Sequence, residues 1–347
     1  MEKKVNPVRN TVSNRAKAIG LLSGGLDSIV AAKLILEQGI EVEALNFTTA
    51  FCTCTSKGSS CLASQKAADQ IGVPLKVFDI SEEILDVVKH PKFGYGSGMN
   101  PCLDCRIFVF KKAKEYMRES GADFIFTGEV LGQRPMSQRR EAMNIIERES
   151  GLKGYLLRPL CAKLFPPTLA EEKGIVDREK LLSISGRSRK GQISLTKRFN
   201  IKDYPCSSGG CLLTDKSFAQ RMEDLMKYKP DFALPDVLLL KYGRHFRMSP
   251  SVKLVVGRNE DENFRLAALK NKSDIMFHAQ DPLGPVSILR GSTGGEFVDE
   301  AASITARYAL GKDNEGEVKI RYFMNPGEDR FLKSGPCGET AVKARRV

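Results

Sequence analysis

The six residues Ser23-Gly24-Gly25-Leu26-Asp27-Ser28 constrain this chain more than any other segment. They follow the apolar run Ala18-Ile19-Gly20-Leu21-Leu22 and precede a helical pattern from Ile29 to Gln38. The order is therefore strand, tight polar loop, helix. Such a loop aims backbone N–H groups and a helix N-terminus at one point, which makes an anion site. Gly24 and Gly25 allow close backbone approach, and Ser23 and Ser28 add hydroxyls. Asp27 is the odd member, because a carboxylate repels phosphate unless a cation bridges the two. Mg²⁺ is the natural bridge. The segment thus predicts a nucleotide's phosphates together with a metal ion. A lone Ser-Gly-Gly would be an ordinary turn with a good helix N-cap. No Gly-Lys-Ser/Thr follows, so this is not a Walker loop.

The rest of the N-terminal half repeats the alternation. Val42 to Phe47, Leu75 to Ile80 and Phe124 to Thr127 read as strands. Ala63 to Ile71, Glu82 to Lys89 and Arg106 to Glu119 read as helices. Alternating strands and helices imply an α/β, doubly wound parallel sheet. Ligands of such sheets bind beyond the C-terminal strand ends, where Ser23–Ser28, Asn46-Phe47 and Gly128 fall.

With 347 residues the chain is long for one domain. Residues 1–16 are polar and basic, with no apolar core of a secretory signal, and are expected to be disordered. Residues 17–150 carry the nucleotide-binding wind. After Ser150 the pattern weakens, and 151–228 reads as a second functional region rather than a continued wind, with a short helix at Asp177 to Leu182. Residues 229–347 read as a separate α+β domain, with a strand at Val252 to Val256, helices at Asp261 to Leu269 and Ala301 to Leu310, and a strand at Val318 to Phe323. No apolar run approaches the roughly 18 residues of a membrane span. The expectation is a cytoplasmic protein with no membrane partner.

The formal net charge of +12 favours a polyanionic partner, nucleic acid first. Between Arg187 and Lys202 there are six basic residues and no acid. Gly186, Gly191 and the serines make that stretch loop-like, and Arg187, Arg189 and Lys190 suit a phosphate backbone.

Nine cysteines in a cytosolic chain suggest chemistry rather than disulfides. Cys102 and Cys105 form Cys-X-X-Cys at the start of the long helix, where thiol pKa values are expected to be lowered. Cys206 and Cys211 lie a hundred residues on. Three readings stand open. Zinc would take all four thiols. An iron–sulfur cluster can be held by three. A dithiol could carry and resolve a persulfide. Cys52, Cys54 and Cys61 read as an incidental loop group.

The loop resembles the pyrophosphate loop of the ATP pyrophosphatase (PP-loop) superfamily, and further motifs resemble its tRNA thiouridine synthetases. Thr127-Gly128-Glu129-Val130-Leu131-Gly132-Gln133 is similar to the second nucleotide segment of 4-thiouridine synthetase. Asn100-Pro101-Cys102-Leu103-Asp104-Cys105 is similar to the Asn-Pro-Asp-X-X-Cys of 2-thiouridine synthetases, with cysteine at the aspartate's place. Gly209-Gly210-Cys211-Leu212 resembles the segment of their second catalytic cysteine. Val255 to Asn263 resembles the RNA-binding domain of the NFACT-R type, although 20 basic against 16 acidic residues from Lys227 on would not by themselves mark an RNA binder.

The resemblance implies ATP and Mg²⁺ on Ser23, Gly24, Gly25, Asp27 and Ser28, adenine near Asn46 and Phe47, and nucleotide contacts from Gly128 and Gln133. It implies catalytic roles for Asp27, Cys105 and Cys211, with Cys206 as an extra ligand or persulfide carrier. It further implies a [4Fe–4S] cluster on Cys102, Cys105 and Cys211, zinc being the alternative. The partners would be tRNA and a sulfur donor, either sulfide or a persulfide carrier protein. The expected reaction adenylates a nucleobase carbonyl and replaces its oxygen with sulfur. The competing readings are a PP-loop enzyme that thiolates or amidates a small molecule, and a non-catalytic zinc-containing RNA-binding module.

Overall fold

A computed structural model describes residues 15–53, 62–204, 210–291, 297–311 and 315–347. It divides into two compact units. The first comprises Met1–Gly96 with Pro101–Gly210, the second Ser97–Asn100 with Cys211–Val347.

In the first unit β1 (Lys17–Leu21) leads through the Ser23–Gly25 loop into α1 (Leu26–Leu36). Then come β2 (Glu41–Thr48), α2 (Leu62–Ile71), β3 (Leu75–Asp79), α3 (Ile84–Lys89), α4 (Cys102–Glu119) and β4 (Phe124–Thr127). The unit continues with α5 (Arg140–Ser150), β5 (Leu156–Leu157), α6 (Leu169–Glu172) and α7 (Lys190–Arg198). The strands form one parallel sheet in the order β3-β2-β1-β4-β5. Two apolar layers clamp it. Ile29, Val30, Leu34 and Ile35 of α1 pack on one face, and Ile107, Phe110 and Met117 of α4 join the core on the other. This is the doubly wound α/β architecture expected from the alternation.

Three local readings change. The wind continues past Ser150, because Leu156 and Leu157 pair with Ile125 and Phe126 as a fifth strand. Two residues are too short for a period-2 pattern to register. Asp177 to Leu182 is not a helix but a single 3₁₀ turn at Arg178–Lys180, capped by Asp177 Oδ1 accepting from Glu179 N at 3.0 Å. The basic stretch after Arg187 is mostly helix α7. Its Gln192 and Thr196 are buried, and Leu195, Phe199 and Ile201 join the α1 core. That apolar contact outweighs the local cost of Gly191.

The second unit begins with Cys211. Its elements are α8 (Lys216–Tyr228), α9 (Leu234–Leu239), β6 (Arg244–Arg247), β7 (Lys253–Val256), α10 (Glu260–Ala268), β8 (Ile275–Asp281) and β9 (Leu283–Arg290). They are followed by α11 (Val298–Leu310), β10 (Val318–Phe323), β11 (Arg330–Ser334) and α12 (Glu339–Arg345). Six strands form an antiparallel sheet in the order β11-β10-β8-β9-β7-β6. Phe246, Leu254, Phe277, Leu289 and Ile320 fill the core with the inner stripe of α11 (Ala301, Ala302, Ile304). Among the described residues no helix is long and apolar enough to cross a membrane.

Candidate active site

The strand order of the first unit reverses between β1 and β4, so the loops that leave these two strands face the same crevice. The first is Ser23–Gly25. Gly24 has φ +80°, and a Cβ there would come within 2.5 Å of the Ala63 backbone at the start of α2. Glycine is thus required twice over, by dihedral and by space. Gly25 is the extended N-cap of α1. Ser28 Oγ donates to Gly25 O at 2.8 Å, and Ser23 Oγ lies 3.3 Å from Ser28 Oγ. The two hydroxyls brace the loop from inside. Asn46 Nδ2 donates to Leu22 O at 2.8 Å and so holds the end of β1. Phe47 stacks on Phe78 with ring centroids 5.4 Å apart.

The second loop follows β4. A Cβ on Gly128 would lie 2.5 Å from Asp27 C and from Ser28 N. Gly128 therefore lets the two loops touch backbone to backbone. That contact sets Gln133 beside Asp27, and Gln133 Nε2 donates to Asp27 Oδ2 at 2.8 Å. Arg189 Nη2 stands 3.6 Å from the same carboxylate. The opposite oxygen, Asp27 Oδ1, is buried without a hydrogen-bond partner, and so is Gln133 Oε1. Two buried acceptors on hydrogen-bonded neighbours, neither with a donor among the described residues, are costly as they stand. A hard cation with oxygen ligands resolves both, so these residues fit Mg²⁺.

Arginines that motif reading passed over complete the crevice. Arg134 follows Gln133, and its pKa is held down by desolvation and then by Arg106 and Arg189, with Asp27 and Glu129 opposing. Two guanidiniums, Arg106 and Arg189, within electrostatic reach of a third, Arg134, suit an anionic ligand. Glu129 is buried and pairs with two of the chain's arginines, Arg106 Nε at 2.9 Å and Arg158 Nε at 3.2 Å. Burial alone would raise the Glu129 pKa; Arg106 and Arg158 outweigh it and hold the carboxyl below its usual range. Arg158 is itself buried and reaches Glu147 at 2.8 Å. One sequence signal was available for Glu129: it lies inside the segment whose glycine and glutamine drew attention. Arg189, expected along a polynucleotide, lies 3.6 Å from Asp27, and Arg198 Nη2 binds Glu37 at 2.6 Å.

Cys102 opens α4, and Cys105 follows one turn later with its N–H on Pro101 O at 2.9 Å. Asp104 points away from them and accepts from Lys92 N and Phe93 N at 3.0 and 3.1 Å. The expected lowering of the thiol pKa does not hold for Cys105. Burial pushes it up to about 11, Arg106 opposes, and Cys102, Cys52 and Asp104 add to the rise. Desolvation of sulfur exceeds the pull of a helix N-terminus. Cys52, read as incidental, is thus electrostatically coupled to Cys105. It ends the short turn after β2, with Sγ 3.5 Å from Thr49 Oγ1, and the next residue, Thr53, donates from N to Gly210 O at 3.2 Å. Cys211 is in the second unit, where its carbonyl accepts from Thr214 Oγ1 at 2.7 Å. Cys54, Cys61 and Cys206 lie outside the described residues. Among the described residues no group of three or more His, Cys, Asp or Glu side chains could hold a metal ion.

Comparison with known proteins places these features. Residues 13–163 match the family described as thiamine biosynthesis protein (ThiI), and residues 243–344 match the NFACT protein RNA binding domain. The tRNA-specific 2-thiouridylase MnmA of Pseudomonas fluorescens (strain Pf0-1) is 27% identical over 236 residues, 65% of this chain and 59% of that protein. The chain thus spans somewhat more than half the length of the curated relatives it matches. A 4-thiouridine synthetase solved with RNA and bound ATP is 20% identical, with 65% of this chain and 52% of that chain covered and a TM-score of 0.38. The U34-tRNA thiolase NcsA of Methanococcus maripaludis, solved with its [4Fe-4S] cluster, is 20% identical, with coverages of 66% and 72% and a TM-score of 0.32. Over residues 13–163 the chain is similar to the ThiI family, over 65% of its length it is similar to a tRNA 2-thiouridylase, and residues 243–344 are similar to the NFACT RNA binding domain.

Proposed function

We propose that the chain is an ATP-dependent tRNA sulfurtransferase of the thiouridine synthetase type. The observation that carries this reading is the pair of buried acceptors Asp27 Oδ1 and Gln133 Oε1 at the sheet's switch point, without a hydrogen-bond partner among the described residues, with Arg189 3.6 Å from Asp27 and Arg134 within its electrostatic reach. The family matches on both units support it.

The chemistry runs in two steps. A pyrimidine carbonyl oxygen of tRNA attacks the α-phosphorus of ATP, and the bond to pyrophosphate breaks. The carbonyl oxygen, a poor leaving group, becomes part of a good one. Sulfide then attacks the activated ring carbon, and AMP departs with the former carbonyl oxygen; where the sulfur comes as a persulfide on a carrier protein, a second thiol attacks the carrier's inner sulfur, the S–S bond breaks, sulfide is released and the two thiol sulfurs end as a disulfide. The N-terminus of α1 and the arginines stabilise charge that builds on the phosphates. Asp27 and Gln133 would hold Mg²⁺, which supplies charge neutralisation on the nucleotide when bound. Gly24 and Gly128 let the loop and the segment after β4 close on their neighbours and so shape the phosphate crevice. The target base must leave its stack to reach the crevice. A cytoplasmic setting goes with this substrate.

Mass spectrometry of tRNA nucleosides from cells lacking the protein tests the reading. The expected result is loss of one thiolated pyrimidine, restored by the intact gene. A complete set of thionucleosides, together with pyrophosphate release that depends on a small acceptor and not on tRNA, favours the small-molecule reading instead. The finer proposal is that Cys102, Cys105 and Cys211 carry a [4Fe–4S] cluster, with Cys206 in reserve as ligand or persulfide carrier. Anaerobically prepared protein should then hold about four iron atoms and as many sulfides per chain. Zinc without iron overturns that part.

A further inference from the structure

The second unit gathers four guanidiniums that the proposed chemistry leaves unused. Arg244 opens β6, the outermost strand of the antiparallel sheet. Its Nη1 donates to Gly257 O at 3.2 Å, beside Arg258, and its guanidinium lies 4.4 Å from the Tyr308 ring centroid. Arg346 bridges to Phe246 on the open side of β6, and Val347 N donates to His245 O at 3.0 Å. The Arg346 guanidinium covers the Phe246 ring at 5.2 Å, and its Nη1 reaches Tyr308 Oη at 3.5 Å. Arg221 arrives from α8 and donates from Nη1 to Leu240 O at 2.9 Å.

These side chains feel one another. Burial first, and then Arg258 and Arg346, hold Arg221 below its ordinary pKa; burial, Arg346 and Arg258 do the same to Arg244. The acids in reach are already engaged. Glu262 accepts from Arg258 Nε at 2.8 Å and from Gly243 N at 3.1 Å, and Asp215 caps α8 by accepting from Phe218 N at 2.8 Å. A surplus of positive charge is thus fixed by stacking and main-chain bonds, while Arg258 and Arg346 remain open to solvent. Arg244 and Arg346, held over aromatic rings, present planar donor forks that match phosphate oxygens.

We infer that Arg221, Arg244, Arg258 and Arg346 form a phosphate-binding site that grips the backbone of an RNA strand at the β6 edge of the second unit. The inference rests on the tRNA reading above and adds where the polyanion is held. An RNA strand is favoured over an acidic protein because the positive charge is carried by arginines stacked on Tyr308 and Phe246, within and beside the residues that match an RNA-binding domain.

The test is binding of the full chain to a tRNA transcript across a salt series. Each phosphate contact contributes about 0.7–0.9 to the slope of log affinity against log salt. Arg346→Gln should lower that slope by about one contact and Arg221→Gln/Arg346→Gln by about two. Lys319→Gln/Lys333→Gln removes two charges from β10 and β11 at the opposite side of the sheet and should leave the slope unchanged. Thermal melting checks folding; if the double variant is unfolded, Arg346→Gln, at an exposed position, carries the test alone. Unchanged slopes in the folded arginine variants, or an equal loss in the lysine variant, overturn the site and leave the tRNA reading standing. No tRNA binding by the unaltered chain overturns both.

Discussion

Arg106 Nε donates to Glu129 Oε1 at 2.9 Å, and this bond ties the helix that starts with Cys102-X-X-Cys105 to the loop that supplies Gln133. The other Glu129 oxygen holds buried Arg158. One carboxylate therefore fixes two arginines and joins the thiol end of α4 to the nucleotide crevice. Removing a single partner from such a set leaves charge uncompensated in a poorly solvated place.

Glu129→Gln should lower stability by about 3 kcal/mol, the lower end of the range for breaking a buried pair. The pH profile should change with it. Glu129 has a folded pKa below its unfolded value, so its contribution is fully present above the unfolded pKa and is lost as pH falls through the folded one. Urea midpoints of the unaltered chain should fall in acid more steeply than those of the variant. Parallel curves would remove Glu129 from this role.

Asp27→Asn should behave in the opposite way. Asp27 Oδ1 has no hydrogen-bond partner among the described residues, and an amide there keeps the Oδ2 position as an acceptor for Gln133, so little folding free energy is lost. Melting temperature should hold. ATP-dependent pyrophosphate release should fall about 100-fold or more, the scale of losing one preorganised electrostatic partner. A variant that keeps its rate shows that Asp27 does not serve the nucleotide.

The sequence made this crevice legible because its parts are local. A glycine pair between strand and helix is readable in six residues, and Gly128 with Gln133 in another seven. The wind of the sheet was legible for the same reason, as strands of four residues or more left an apolar trace. What stayed hidden was made by long-range contact. Arg158 meets Glu129 from 29 residues away, and Arg189 meets Asp27 from 162 away, so neither spacing has a motif. α7 was hidden because its helical state depends on packing against α1, and local glycines and serines pointed to a loop. The Cys105 thiol was misread because a helix N-terminus is visible in sequence and desolvation is not.

Gly128→Ala should disable the crevice with little change in its chemistry. The new Cβ would sit 2.5 Å from two backbone atoms of the Asp27–Ser28 turn, which cannot rotate away as a flexible side chain would. Overpacking of this kind costs roughly 1–3 kcal/mol. The loops should separate and the Gln133–Asp27 bond should break. Equilibrium binding of ATP is the measurement, with a loss of at least tenfold expected and the fold of the second unit retained. Unaltered ATP affinity would mean that the contact of the two loops is not needed for the nucleotide.

A last prediction concerns the second unit alone. Lys253 is buried in β7, with Nζ 2.9 Å from Asp224 Oδ2, while Arg247 Nη2 binds the same carboxylate at 2.6 Å. Burial drives the Lys253 pKa down to about 8, and Asp224 only partly offsets it. Above that pH the folded chain has released this proton while the unfolded chain still holds it, until its own lysine pKa near 10.4 is reached. The unfolded state then binds more protons, so stability rises with pH across that window. Lys253→Met leaves Asp224 paired with Arg247 and removes the titration. The difference in unfolding free energy between the two proteins should therefore be flat below pH 8 and should shift toward the unaltered chain between pH 8 and pH 10. A constant difference would mean that Lys253 keeps an ordinary pKa, and that Asp224 and Arg247 compensate its burial in full.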